Sequence, residues 1–308
     1  MGYSEEEVLA VLTQVFSSDD PRILTGIGDD AAVVRSGAQQ ILTTDIAVEG
    51  VHFRTDWSSA YEIGKRIAAA NIADVLSMNG HCDYLLVAAA LTGSEDVDWI
   101  RDLAQGIRDQ ADQAGALVVG GDLARSQTLA ITITAVGQSD RPILRSGAQV
   151  GDSIYLSSLT GWSAAGLEIL SKGLQLSGGE VATALNEYRA PTLDLRINFS
   201  TATSMSDISD AITIQGSQMA KASGVKFEIN CGAFQLSPEF AQLEELAHLT
   251  NSDIWSWILQ GGEDHALLAT GRDLPGLEIG RVVEGDGVAF FKDGAEIKMA
   301  PVAWSHSS

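Results

Sequence analysis

The stretch "TLAITITAVGQSDRPILRSGAQVGDSIYLSS", residues 128–158, carries the reading of the fold. Residues 128–137 alternate apolar and polar side chains, the period-two pattern of a strand buried on one face. Residues 138–152 break that pattern with Pro, Gly, Ser and Asp, as a connection does, and a second apolar run starts at 153. A half that closes on a strand and a half that opens on one divide the chain near residue 140, into segments 1–140 and 141–308. Outward toward the start, "ALVVG" (116–120) and "YLLVAAAL" (84–91) read as strands, with helices over 95–115 and over "YEIGKRIAAANIADVLSM" (61–78). "ILTTDI" (41–46) is β-like, and "EEEVLAVLTQVF" (5–16) has helical spacing. Outward toward the end, "SIYLSS" begins a second series: a helix in "WSAAGLEILSKG", two more helical stretches to about 200, a helix in "AITIQGSQMAKASG" and a strand in "VKFEIN". Strands are expected near 265–270, 278–283, 287–291 and 295–299. The fold class is α/β (α+β) in two similar-sized parts.

Composition narrows the function. The 308 residues are 45% hydrophobic, which suits a folded protein with a sizeable core. Nineteen Lys and Arg face 41 Asp and Glu, for a net charge of −22, and such a surface repels a nucleic-acid backbone. The longest apolar run, 84–91, is far shorter than a membrane span, and "MGYSEEEVLA" is acidic where a secretory leader is basic. A cytoplasmic protein with no membrane partner is expected. Cys82 and Cys231 form no C-x-x-C pair and read as buried thiols.

The acidic residues are placed unusually, ending five loops at strand or helix ends rather than lying on polar helix faces. Asp29 and Asp30 follow glycines in G-I-G-D-D, Asp45 ends T-T-D, Asp122 ends V-V-G-G-D, Asp207 and Asp210 frame D-I-S-D, and Glu263 and Asp264 lie in G-G-E-D. Asp74 shares a helix stripe with Ile67 and Asn71, where a bare carboxylate would cost several kcal/mol. Each has an ordinary explanation in turn or capping chemistry. Together, with the hydroxyls of Thr43, Thr44 and Ser209 beside them, they form the oxygen-rich inventory that hard cations such as Mg²⁺ require. A polyanion carried by metal fits such a chain. The P-loop, the dinucleotide fingerprint and the protein-kinase motifs are all missing, so a phosphotransferase here would depend on metal bridging.

In order and spacing, "GIGDDAAVV", "TTDIAVEGVHF", "NIADVLSMNG", "VVGGDLARS", "RSGAQVGDSIYLS", "WSAAGLEIL", "SDISDAI" and "GGEDHALL" resemble the thiamine-monophosphate kinases, of the aminoimidazole ribonucleotide synthetase superfamily. The resemblance spans about residues 20–270. It implies an N-terminal α/β domain (1–140) that binds ATP and metal and joins a partner's strands in a homodimer. It also implies a C-terminal α/β domain (141–308), an active site in the cleft between them, and phosphorylation of thiamine monophosphate by Mg-ATP. Position by position, it implies that Asp30, Thr43, Thr44, Asp45, Asp74, Asp122, Asp207 and Asp210 hold several Mg²⁺ ions. Gly121, Asp122, Arg145 and Ser209 would contact ATP, with Asp45, Asp74 and Arg145 central to catalysis. His52 and Glu263 would contact the thiamine phosphate, and Trp304, in a closing "AWSHS" similar to the family's Gly-Trp-Asp-His-Phe, would face the thiamine rings. Four positions depart from the family pattern: Ala211 stands for Gly, His265 and Ala266 for Tyr and Glu, and Asn79 for Gly. The rival readings are another enzyme of the superfamily and a metal-binding dimer without turnover. Residues 1–30 lack the Cys of a selenophosphate synthetase, and the ending "WSHSS" lacks the Cys of the hydrogenase-maturation relative.

Overall fold

The computed structural model describes residues 23–25, 32–36 and 38–297, so the expected helix at 5–16, the G-I-G-D-D loop with Asp30, and Trp304 lie outside the described residues. The first sheet has the order β1 (Ile23–Thr25), β2 (Ala32–Ser36), β3 (Ala38–Val48), β6 (Ala130–Gln138), β4 (His81–Leu91), β5 (Leu117–Arg125). Within β6 the expected alternation holds: Ile131, Ile133 and Ala135 are buried and their neighbours are not. β4 and β5 pair parallel, while β6 pairs antiparallel with both β3 and β4.

Helix α1 (Ala60–Ser77) lies on this sheet. It starts at a capping box, in which Ser59 accepts from the Glu62 N–H and Glu62 accepts from the Ser59 N–H. Its neighbour α2 (Val97–Ala114) is capped by Asp96 and ends at Gly115 in the left-handed conformation. The two helices cross where glycine is required, since a Cβ at Gly64 would stand 2.2 Å from the Leu103 carbonyl oxygen and one at Gly106 2.0 Å from that of Tyr61.

The second sheet has the order β13 (Ala295–Ile297), β12 (Gly287–Lys292), β9 (Lys226–Asn230), β11 (Leu277–Val283), β7 (Ser153–Leu156), β10 (Leu267–Gly271), β8 (Ser204–Asp207). Its apolar core is shared by five helices, α3 (Trp162–Ser171), α4 (Gly179–Arg189), α5 (Ile212–Ser223), α6 (Phe240–Thr250) and α7 (Ile254–Gln260), of which α5 lies directly on the strands. Each sheet has its own apolar core, one centred on Ile63, Ile72 and Ile133, the other on Ile154, Phe227 and Leu268. The two parts are tied by the Ile143 N–H to the Met78 carbonyl and by the Asn79 side-chain amide to the Arg141 carbonyl.

Three expectations need correction. Only one helix, α4, lies between α3 and residue 200, because Pro191 holds Ala190 at φ −154° and bars helix continuation. β5 continues through Gly121 and Asp122, so V-V-G-G-D is strand interior rather than a loop ending in a carboxylate. Asp45 is likewise inside β3.

Candidate active site

The C-terminal half of α1, the middle of β3 and the end of β8 meet between the sheets. Asn71 fixes helix to strand: its side-chain oxygen accepts the Asp45 N–H at 3.1 Å and its amide nitrogen donates to the Ile67 carbonyl at 3.0 Å. Three residues along α1, Asp74 Oδ2 accepts from Thr43 Oγ1 at 2.6 Å. Burial pushes the Asp74 carboxyl well above the usual carboxylate range; the charges of Asp207 and then Asp45 push the same way, and the Thr43 hydrogen bond only partly opposes them.

Two loops complete the wall. After β8, Gln215 on α5 donates to Ser209 Oγ at 3.1 Å and to Asp210 Oδ2 at 2.9 Å, and accepts the Ala211 N–H at 2.8 Å. Ala211 is extended at φ −175°, a conformation any residue adopts, so its replacement of the family's glycine leaves the loop's shape intact. Asn79, by contrast, sits at φ 56°, where a glycine is natural and asparagine the next best choice, and its side chain donates to the Arg141 carbonyl.

The loop 261–266 lies directly on the first one. A Cβ at Gly262 would come within 2.3 Å of both the Ser209 and Asp210 carbonyl oxygens, which explains the glycine. The Glu263 N–H donates to the Ser209 carbonyl at 2.7 Å and the His265 N–H to that of Ile208 at 3.1 Å, with both residues at positive φ. Asp264 points the other way and caps α3, accepting the Gly161 and Ser163 N–H groups at 2.8 and 3.0 Å. Burial pushes its carboxyl up to about 7 against those two donors. His265 Nδ1 is 3.0 Å from Asp207 Oδ2, and both side chains are buried. Burial works against a charge on this imidazole, but the hydrogen bond and charge of Asp207 outweigh it and raise its pKa.

These elements enclose two joined compartments. One, about 180 Å³, is lined by Asp45, Asp74, Asp207, Asp210 and His265. The other, about 290 Å³ and mainly apolar, is lined by Val51, Ala164, Leu167, Tyr188 and Gly261. His52, Arg66, Ser209, Asp210 and Glu263 border both. Arg66 is the buried cation at this junction: it donates to Glu263 Oε2 at 2.7 Å and to the Tyr188 carbonyl, and its guanidinium stands 4.7 Å over the Tyr188 ring. His52 Nδ1 accepts the Val48 N–H at 3.1 Å, which leaves the ring proton on Nε2.

Of the residues expected in the site, the structure gathers Asp45, Asp74, Asp207, Ser209, Asp210, His52 and Glu263 around these compartments, and Thr43 reaches them through Asp74. Four others are placed elsewhere. Thr44 alternates to the opposite face of β3 and bonds the Ile133 carbonyl and Thr134. Gly121 and Asp122 lie on exposed β5, and Arg145 donates to Gln218 on α5 at 2.9 Å. Sequence reasoning missed Arg66, Gln215 and the capping role of Asp264. Arg66 alone had a signal, standing four and eight residues before Ala70 and Asp74 on one helix face.

Among the described residues no three His, Cys, Asp or Glu side chains are close enough to form a ready metal cage. The donor chemistry nonetheless fits divalent ions that bring phosphate and water as further ligands. Asp207 Oδ1 is buried without a hydrogen-bond partner, and mutual repulsion of the carboxylates leaves the chamber short of positive charge.

Comparison with known proteins accords with this geometry. Residues 28–139 match the family "AIR synthase related protein, N-terminal domain". The structure of "AaThiL complexed with AMPPCP and TMP" superposes with a TM-score of 0.84 at 28% identity, covering 96% of this chain and 95% of that one. HypE of E. coli shares the fold alone, with a TM-score of 0.65 at 17% identity, covering 98% of each chain. The chain therefore has the AIR-synthase-like fold, here two α/β parts with an acidic cleft between them. The thiamine-monophosphate kinase of Corynebacterium glutamicum is 34% identical over 277 residues, 86% of this chain and 81% of that protein. The enzyme of the same name from Aquifex aeolicus is 31% identical over 292 residues, 91% and 92% of the two chains. The chain belongs to the thiamine-monophosphate kinase family.

Proposed function

We propose that this protein transfers the γ-phosphoryl group of Mg-ATP to thiamine monophosphate, giving thiamine diphosphate and ADP. The observation that carries this reading is the pairing of an acidic chamber with an apolar pocket through a buried arginine. The apolar pocket suits a heteroaromatic cation, the acidic chamber suits metal-bound phosphates, and Arg66 stands at the point where the acceptor's phosphate joins its organic part. The acceptor is already anionic near neutral pH and needs no strong base. Its obstacle is repulsion from the donor, so orientation and charge screening dominate a direct in-line transfer. Mg²⁺, when bound, would supply that screening as a Lewis acid. Asp45, Asp74, Asp207 and Asp210 would hold the ions, with Asp30 and Thr43 assisting, and Arg66, fixed by Glu263, would orient the acceptor with His52 beside it.

The remaining assignments extend the same reading. Segment 1–140 would bind nucleotide and metal and form a homodimer, and 141–308 would complete the cleft. Gly121, Asp122, Arg145 and Ser209 would serve ATP and Trp304 the thiamine rings, while Thr44 and Asp122, which lie away from the acidic chamber, are given no ion. Supporting the dimer, β5 is an edge strand exposed along its whole length, with Leu117, Val119 and Leu123 59%, 55% and 71% exposed. No helix among the described residues is long and apolar enough to cross a membrane, and a cytoplasmic setting is proposed. ADP release should depend on thiamine monophosphate and not on thiamine or aminoimidazole precursors. Release driven by a precursor instead would assign the chain to another superfamily reaction.

A further inference from the structure

His265 holds the position where the resembling motif has tyrosine, and its ring is arranged as a ligand. The imidazole side chain is 4% exposed and lines the acidic chamber with Asp45, Asp74 and Asp210. Nδ1 lies 3.0 Å from Asp207 Oδ2, and an ionised carboxylate only accepts, so Nδ1 carries a proton. In the neutral ring this leaves a lone pair on Nε2. That nitrogen is buried with no hydrogen-bond partner, an unfavourable state for a polar atom in a closed site. A positive φ of 51° and the N–H bond to the Ile208 carbonyl fix the residue in place, a strained backbone of the kind found at ligand sites.

We propose that His265 Nε2 is a nitrogen ligand to one of the divalent ions that enter with the nucleotide, with Asp207 orienting the ring from behind. This rests on the nucleotide-dependent reading given above. Metal-binding histidines characteristically donate their other ring N–H to a carboxylate, and here that pair is already built. The negative surroundings that draw a proton to Nε2 draw a divalent cation equally. Because no three protein ligands are gathered among the described residues, the ion completes its shell with phosphate oxygens and water and binds tightly only when nucleotide is present. An imidazole ligand also moves the preference of an otherwise all-oxygen site away from Mg²⁺ and toward Mn²⁺ or Co²⁺.

The test uses the full chain loaded with Mn²⁺ and AMPPCP, read by electron spin-echo modulation, which detects a directly bound ring nitrogen. The wild type should show that coupling, its pattern should change when histidine carries heavy nitrogen, and His265→Tyr and His265→Gln should both abolish it. By equilibrium dialysis, Mn²⁺ binding in the presence of AMPPCP should weaken by about tenfold in His265→Gln, with a clearly smaller loss for Mg²⁺. Absence of histidine coupling in the Mn²⁺-loaded wild type, or equal losses for the two metals, overturns the proposal. Tyrosine is the family's own residue here, so His265→Tyr guards against a folding failure in His265→Gln. The kinase reading is judged separately: wild-type ADP release that ignores thiamine monophosphate refutes it without altering the nitrogen coupling.

Discussion

At the residue scale, Asp74 and Asp264 do opposite jobs. Asp74 is kept in a chamber of like charges, which is tolerable only where cations arrive to offset it. Asp74→Asn should lower turnover by at least about a hundredfold, since metal-borne stabilisation of a phosphoryl transition state is worth several kcal/mol. Steady-state ADP release at saturating Mg²⁺ checks this, and near-normal turnover would remove Asp74 from the metal site. Glu263→Gln loosens the hold on Arg66, so KM for thiamine monophosphate should rise more than KM for ATP. The reverse split would assign that loop to the nucleotide. Asp264 is structural, and its signature is in stability. Its folded carboxyl lies at about 7 against an ordinary value of 3.8, so the folded state holds a proton that the unfolded state has lost. Its contribution is fully present below the unfolded value and declines as pH rises from about 4 to about 7, by about 4 kcal/mol at most. In urea unfolding across that window, Asp264→Asn should flatten the decline. An unchanged slope would mean that Asp264 is ionised when folded.

At the element scale, the loop 261–266 and the loop 208–210 form one unit clasped by backbone hydrogen bonds and by Gln215. Gly262→Ala would drive a methyl into two carbonyl oxygens, and a loss of about 1–3 kcal/mol in chemical denaturation is expected, with a matching fall in activity. Much of this architecture was readable beforehand. The alternation around Ile131, Ile133 and Ala135 and the stripe of Ile67, Asn71 and Asp74 depend on periodicity, which a sequence displays directly. What escaped depends on contacts. Asp122 in V-V-G-G-D looks like turn chemistry, yet β4 pairs with it as strand. A Cβ at Gly121 would stand 1.7 Å from the Val87 carbonyl oxygen, so that glycine serves close strand packing. Gln215 has no periodic signal, because its role exists only once α5 meets the D-I-S-D loop. Helices α6 and α7 occupy a stretch to which the sequence reading assigned no element, although Phe240, Leu243, Leu246 and Ala247 repeat at helical spacing.

At the scale of the whole molecule, the first sheet is incomplete at β5. A long exposed edge carrying Leu117, Val119 and Leu123 beside a net charge of −22 is a surface built to be covered, and a second copy is the proposed cover. Leu123→Lys should shift the species in sedimentation velocity from dimer to monomer; a wild type that is already monomeric at micromolar concentration would end the dimer proposal. The cleft between the two sheets carries the central claim, that an acidic chamber and an apolar pocket are joined to transfer a phosphoryl group onto thiamine monophosphate. The most direct test is ADP release by the purified chain with Mg-ATP, with and without thiamine monophosphate, followed by chromatography of the thiamine products. The account predicts release that requires thiamine monophosphate, with thiamine diphosphate formed in equal amount. ADP release unaffected by thiamine monophosphate, or release without thiamine diphosphate, would contradict it.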